Sequence, residues 1–324
     1  MKFASKISKQ YWEETIARCP NATFFHTCAW AKLMTAIYPH LSIATMGFEM
    51  SDGARAVLPL LSVRSRLKGM VRTFYTMVPG VYGGIVTDRR CLTRLELEMV
   101  FSKFKGLKFN HIVYVNNPYE SYDIPGRYRE SEMFTHILNL NQDYECIKRN
   151  FSRGNRSTIN KAIRSGVTIE LAQTYSDYQE YYEMYQDSLD RWGDRASSFY
   201  PFELFHHIFE LNSPHIKLWL AKVDGIIIAG SLVFSYNNHV VAWHGAARRS
   251  HFEYRPNNLL YAQIIRDAYN QGYRYFDFNP SGGHEGVVHF KESFGAVRKY
   301  FNVQYWSSNP LYTFYLQRKK ADQH

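Results

Sequence analysis

The two halves of the chain repeat one pattern of apolar and polar positions: an apolar strand, a tight Asp-Gly turn and a second apolar strand. The copies are residues 43–63, with the turn at Asp52-Gly53, and residues 216–236, with the turn at Asp224-Gly225. An Asp-Gly pair between two apolar runs is a strong short-range signal of a β-hairpin. The pattern favours duplication of one α/β unit, and two unrelated hairpins are the alternative.

The elements around the two hairpins follow the same order. Helices are predicted before the hairpins, over residues 28–37 and 202–211. Those predicted after the hairpins are a glycine-interrupted strand region 73–86, helix 92–104 and strand 111–115 in the first half, and strand 239–247, helix 257–270 and strand 273–279 in the second. We therefore predict an α/β chain of two tandem domains, residues 1–155 and 156–324.

Residues 272–296 join a half-polar strand, a glycine-rich turn and an amphipathic segment. Tyr275, Asp277 and Asn279 share the polar face of the strand, and Tyr275 and Asn279 are expected to contact substrate there. After the turn a helical period resumes, with Lys291 on its flank. The pattern predicts that Lys291 lies near the carboxyl end of the strand, where ligand sites form in open α/β sheets.

A motif runs through this region: an aromatic-Asp pair at the end of a strand, then glycines, then a Phe-Lys-x-x-Phe-Gly element. Its residues are Phe276, Asp277, Gly282, Gly283, Phe290, Lys291, Phe294 and Gly295. The motif resembles the closing motif of the FemAB-type aminoacyltransferases, a branch of the GNAT-like acyltransferases. The resemblance implies two tandem GNAT-like domains, each a mixed, mainly antiparallel sheet flanked by helices. It also implies transfer of an aminoacyl group from aminoacyl-tRNA to an amine on a cell-wall or surface-glycan precursor.

Lys291 and Asp277 are the candidate catalytic residues. An amine that attacks an activated ester or thioester needs alignment, loss of a proton and stabilisation of the carbonyl oxygen. A lysine ammonium at the end of a core strand supplies the last of these, and an exposed helical lysine is the alternative. Asp277 either accepts a proton or orients the amine, or it caps the glycine turn that follows.

A strongly basic segment lies at the start of the second half. Residues 148–164 carry six basic side chains and no acid, and Gly166 ends the predicted helix. Arg156, Lys161 and Arg164 match a basic helix of FemAB-type proteins and are predicted to hold a phosphate backbone or a diphosphate, with a solvated helix face as the alternative. The net charge of +10 favours polyanions, without choosing among tRNA, CoA, a nucleotide-sugar diphosphate and an anionic membrane surface.

Five further residues are predicted to contact substrate. Arg191 and Trp192 are expected to line the acceptor pocket, and a packed helix end is the alternative. Arg248, Arg249 and Arg298 are expected near donor or acceptor phosphates, and ordinary surface arginines are the alternative.

The identity of the acyl donor is predicted from the absence of a CoA-binding motif. CoA-dependent GNAT enzymes usually carry an Arg/Gln-x-x-Gly-x-Gly/Ala loop, whose backbone amides hold the pyrophosphate at a helix start. Residues 248–258 contain no glycine, which favours aminoacyl-tRNA. Acyl-CoA-dependent N-acylation is one alternative, and a non-catalytic module that binds a polyanion or a glycan precursor is another.

No metal or other cofactor is expected. His284 and His289 are five residues apart, which puts them on different faces of a helix and excludes a zinc-protease motif with Glu285. The four cysteines have no metal-binding or disulfide spacing, so a reduced, cytoplasmic protein is expected. No apolar window approaches 18 residues, so no transmembrane segment is expected, and peripheral membrane contact stays open.

Overall fold

A computed structural model describes residues 1–64, 71–76, 78, 81–105, 109–193, 199–309 and 313. The chain forms two compact units, the first from residues 1–134 together with residues from 300 onward and the second from residues 135–299. Each unit has its own buried apolar core. The division near residue 155, which the repeated sequence pattern suggested, stays a prediction.

Helices and strands follow one another along the chain in a mixed order. Up to residue 139 they are β1 (Lys2–Ala4), α1 (Lys9–Arg18), α2 (Cys28–Ile37), β2 (Leu41–Ile43), β3 (Met46–Glu49), β4 (Arg55–Leu58), β5 (Leu61–Arg64), β6 (Val71–Tyr75), β7 (Val86–Thr87), α3 (Arg94–Ser102), β8 (Phe109–Val115) and β9 (Arg129–Asn139). From there on they are α4 (Tyr144–Arg149), α5 (Arg153–Arg164), β10 (Thr168–Leu171), α6 (Tyr175–Trp192), α7 (Phe202–Leu211), β11 (Ile216–Val223), β12 (Ile226–Tyr236), β13 (His239–Ala247), α8 (Pro256–Asn270), β14 (Tyr275–Asp277), α9 (Glu285–Glu292) and β15 (Val297–Ser307).

The first unit contains an antiparallel sheet with the strand order β1-β3-β4-β7. Strands β3 and β4 form the predicted hairpin, and Gly53 in its turn has φ 77°, a conformation that glycine adopts without strain. A second set of strands has the order β15-β8-β6-β5-β2, with β6 and β8 parallel. Aromatic rings fill the core between these elements, among them Phe74, Phe104 and Trp306.

The second unit contains the strand order β10-β11-β12-β13-β14-β9. Neighbouring strands are antiparallel except for β13 and β14, which are parallel. The β11–β12 turn has φ 50° at Asp224 and 80° at Gly225, the two positive values of a type I′ hairpin turn. Helix α8 packs its apolar stripe, which includes Leu260, Ile264 and Ala268, into the core. Mixed, mainly antiparallel sheets flanked by helices confirm the predicted fold class.

The parallel pair β13 and β14 separates after a short contact. Their register runs from His239 opposite Tyr275 to Val241 opposite Asp277, whereas β13 continues to Ala247. On its other side β13 stays paired with β12, through a register shift opposite Trp243. A bulge of this kind increases local twist and re-aims side chains. The separating strands leave an opening at the carboxyl end of β14.

Candidate functional site

A cleft of about 310 Å³ occupies this opening in the second unit. One wall is residues 242–247 of β13, and the other is residues 278–281, which continue the chain beyond β14. Phe290 and Lys291 of helix α9 and Arg191 of α6 also line the cleft. The cleft thus sits where two parallel strands end their pairing, a common position for ligand sites in α/β proteins.

Lys291 is held inside the cleft by the packing of α9. Phe294 is fully buried and Phe290 packs against the same core, so the helix turns Lys291 inward, where the residue is 5% exposed. Its ammonium nitrogen Nζ donates a hydrogen bond to the backbone oxygen of Asn279 at 2.5 Å. Burial lowers the pKa of Lys291 to about 8, and the carboxylate of Asp277 opposes that fall. At neutral pH the side chain is therefore mainly protonated, although its pKa of about 8 lies close to the pH of the solution.

Asp277 lies behind the cleft wall and is fully buried. Its Oδ1 accepts hydrogen bonds from the Thr135 hydroxyl at 2.5 Å and from the Asn279 amide at 2.8 Å. The second bond caps the turn, and Asn279 takes the left-handed conformation there, with φ 61°. These contacts match the turn-cap interpretation of Asp277, and its catalytic role stays a proposal.

The β13 wall is aromatic, a feature that the sequence prediction missed. Trp243 and His244 line the cleft, and the hydroxyl of Tyr181 lies 2.6 Å from His244 Nδ1. Burial lowers the pKa of His244 to about 3, so the imidazole is neutral at physiological pH. Tyr261 and Phe278 add stacked rings, with centroids 5.6 Å apart. Consecutive aromatic residues in a strand were the available signal, but only the bulge decides that both reach the cleft.

Arg191 lines the cleft, and its contact with an acceptor stays a prediction. Its guanidinium carbon lies 5.1 Å from the ring centroid of Phe252, and a guanidinium nitrogen is 3.9 Å from Asp187. No Asp or Glu is among the described cleft-lining residues, so Lys291 and Arg191 give the cleft a positive charge. The side chain of Trp192 lies outside the described residues.

Four of the other predicted contacts lie away from the cleft lining. Arg248 pairs with Glu180 at 3.1 Å, and Arg298 pairs with Glu292 at 2.8 Å. The exposed Arg249 begins a 3-10 helix outside the lining. The ring of Tyr275 stacks on His239, with centroids 5.4 Å apart. Of the predicted strand-face residues, Asn279 accepts a hydrogen bond from Lys291, and Asp277 acts on the Lys291 ammonium through its charge.

The basic segment forms two helices, α4 and α5, because the Ser152 hydroxyl caps a new helix start by accepting from the Asn155 amide. Arg156 bends back to donate to the backbone oxygens of Arg149, at 2.9 Å, and Phe151. Lys161 and Arg164 are exposed. Lys161 and Arg164 therefore present positive charge to solvent. Arg156 stabilises the junction between α4 and α5. The phosphate-binding role of all three stays a prediction.

Comparison with known proteins agrees with this architecture. Residues 149–292 match the family described as "Acetyltransferase (GNAT) domain". The crystal structure of FemX superposes with a TM-score of 0.71 at 14% sequence identity and covers 93% of this chain and 97% of that chain. A conserved protein of unknown function from Bacteroides thetaiotaomicron superposes with a TM-score of 0.56 at 12% identity, covering 94% of this chain and 99% of that chain.

A third structure is the C-terminal domain of a putative lysylphosphatidylglycerol synthetase from Agrobacterium fabrum, with a TM-score of 0.52 at 12% identity and coverage of 97% of this chain and 95% of that chain. A search of curated protein sequences found no match. At these identities the superpositions show the fold. Together with the matched domain, they confirm the resemblance to FemAB-type GNAT proteins, and the matched residues lie within the second unit.

Two observations bear on metals and membranes. Within the described ranges, no group of three or more His, Cys, Asp or Glu side chains is placed to hold a metal ion. No helix in the part of the chain that the structure describes is long and apolar enough to cross a membrane.

Proposed function

We propose that the protein forms an amide bond by transferring an aminoacyl group from aminoacyl-tRNA to an amine on a cell-wall or surface-glycan precursor, in the cytoplasm. The main observation that supports this proposal is the buried ammonium of Lys291 inside a cleft of about 310 Å³. A positive donor that is itself buried stabilises negative charge that develops on a substrate oxygen more strongly than an exposed one.

The proposed step is nucleophilic acyl transfer. The amine nitrogen attacks the carbonyl carbon of the donor ester, and the π electrons move onto the carbonyl oxygen, which the Lys291 ammonium faces. Collapse of the tetrahedral species forms the C–N bond and breaks the bond to the ribose oxygen. The leaving oxygen takes up the proton that the amine loses, so no oxidant, reductant or further reactant is consumed.

Asp277 acts in this proposal as a positioning residue. Its carboxylate raises the pKa of Lys291 against the effect of burial and thereby favours the ammonium. It also holds the Asn279 amide, and the Asn279 carbonyl in turn accepts from Lys291. The carboxylate thus supports both the charge and the position of the ammonium without reaching the cleft.

The tRNA donor is supported by the segment before α8. Residues 249–254 form a 3-10 helix, Arg255 has φ 56°, and Pro256 occupies the first turn of α8. Proline lacks an amide hydrogen, and residues 248–258 lack glycine, so this helix start offers a poor cradle for a CoA pyrophosphate. The exposed cations of α5 are available for a phosphate backbone.

Acyl-CoA-dependent N-acylation is the second candidate. It is favoured by the match of residues 149–292 to a GNAT acetyltransferase domain. The same chemistry applies, with a thiolate as the leaving group in place of the ribose oxygen. Lys291 has the same role in both candidates, so variants of Lys291 do not distinguish them. The two candidates differ in which donor the protein consumes.

The test is a donor competition. The protein is incubated with a mixture of charged tRNAs, acyl-CoAs and amine acceptors that include muropeptide and glycan precursors, and mass spectrometry identifies the donor consumed and the product formed. We expect Lys291→Ala to lower turnover by about 10²-fold or more, the effect of losing one oxyanion donor. The control is Lys299→Ala, because Lys299 is exposed and outside the cleft lining. Normal turnover in Lys291→Ala would contradict the proposed role of this residue.

A further inference from the structure

Ser281 lines the cleft in the turn between β14 and α9. The residue is 8% exposed, and its hydroxyl oxygen has no hydrogen-bond partner among the described residues. A buried hydroxyl that makes no hydrogen bond costs free energy, so folded proteins rarely keep one without a reason such as strain, an ordered water or a catalytic role. The hydroxyl of Ser281 therefore needs a physical explanation.

The position of Ser281 relative to Lys291 supplies one. The ammonium of Lys291 donates to the backbone oxygen of Asn279, which is two residues before Ser281. The α-carbons of residues 279 and 281 are then at most about 7 Å apart. An ammonium has three N–H donors, and this bond uses one of them. Ser281 and Lys291 both line the cleft, and the ammonium is hydrogen-bonded to the same turn that carries Ser281.

We propose that Ser281 is a further catalytic residue: its hydroxyl donates a hydrogen bond to the carbonyl oxygen of the acyl donor, beside Lys291. This inference rests on the acyl transfer proposed above and adds a second donor to it. An unpaired hydroxyl breaks no existing bond when it turns toward a substrate, and the Cα–Cβ bond of serine has three staggered positions for that rotation. Substrate binding gives the hydroxyl the partner that it lacks in the free protein.

Ser235 provides a matched control within the second unit. It is also 8% exposed, but its hydroxyl donates to the backbone oxygen of His215 at 3.3 Å, and it is absent from the cleft lining. Both serines are replaced by alanine, which removes the hydroxyl and little else. Ser281→Thr keeps a hydroxyl at the site and serves as the rescue variant.

The experiment measures turnover and thermal stability of the full-length protein. For Ser281→Ala we expect kcat to fall by about tenfold to a hundredfold with a small change in KM, as for a hydrogen bond made mainly in the transition state. Its melting temperature, measured without substrate, should rise by about 2–4 °C, because an unsatisfied buried hydroxyl is removed. Ser281→Thr should recover most of kcat. Ser235→Ala should keep normal turnover and should not gain stability.

The outcomes separate this inference from the proposed function. If the wild-type protein transfers an acyl group and Ser281→Ala matches it in kcat, the role of Ser281 is overturned and the proposed function stands. A lower melting temperature for Ser281→Ala also overturns the inference, because the hydroxyl then has a partner in the free protein. If the wild-type protein transfers no acyl group from any donor, the proposed function fails, and the role of Ser281 fails with it.

Discussion

Lys291 is predicted to destabilise the fold at neutral pH, so replacing it by methionine should stabilise the protein while abolishing most turnover. Methionine is similar in length and carries no charge. The pKa of Lys291 falls from 10.5 to about 8 on folding because its ammonium loses hydration. At about 1.4 kcal/mol per pH unit, this fall corresponds to a cost of about 3 kcal/mol for burying the charged form.

Part of the stability that Lys291→Met gains by removing this cost is offset by a lost hydrogen bond. The bond from Lys291 to the Asn279 oxygen is lost, which costs about 1–2 kcal/mol for a buried acceptor. The free energy of unfolding of Lys291→Met at pH 7 should therefore exceed that of the wild type by about 1–2 kcal/mol.

The stability difference should depend on pH with a definite sign. Below pH 8 the lysine is charged in both folded and unfolded states, and the burial cost is fully present. Between about pH 8 and 10.5 the folded state has released the proton that the unfolded state still binds, so the stability of the wild type rises with pH relative to the variant. The advantage of Lys291→Met should therefore shrink by about 3 kcal/mol over this window and change sign near its middle, at about pH 9.

Urea unfolding followed by tryptophan fluorescence at pH 7 and pH 10 measures this difference. The control is Lys299→Met, which changes an exposed lysine and should alter the free energy of unfolding by less than about 0.5 kcal/mol at both pH values. The reasoning is refuted if Lys291→Met is less stable than the wild type at pH 7, or if their difference is the same at both pH values.

Three further predictions concern the charge partner, the packing and the basic helix. Asp277→Asn removes a carboxylate that raises the pKa of Lys291, so the loss of turnover at alkaline pH should begin at lower pH; an unchanged pH–rate profile would contradict this. Gly230→Ala places a Cβ 2.7 Å from the ring of Tyr181 and should cost about 1–3 kcal/mol in urea unfolding, whereas Gly154→Ala meets open space in a helix and should be neutral or stabilising. Binding of tRNA should weaken steeply with salt, and replacing Lys161 and Arg164 by glutamine should reduce the slope of log Kd against log salt by about two; a flat response in the wild type would remove α5 as the contact.

The sequence determined the local elements and their order. The predicted helices 28–37 and 202–211 coincide with α2 and α7, because an apolar period of 3.6 residues and nearby helix-start residues act within one segment. The two Asp-Gly hairpins formed for the same reason, since their turn chemistry lies in adjacent residues. The position of Lys291 after the strand also followed from local pattern, and the family resemblance added the likeness in fold.

Only the tertiary structure decided the composition of the site. Parallel pairing of β13 with β14, and its end after Asp277, joins segments that are distant in the chain, so no local pattern encodes the cleft that opens there. Long-range packing likewise turned Lys291 inward and placed His244 in the aromatic wall, while Arg298 found Glu292 as a partner outside the cleft lining. Side-chain chemistry is readable from the sequence, but burial and electrostatic neighbours arise from contacts between distant segments, and they set the charge that the site presents.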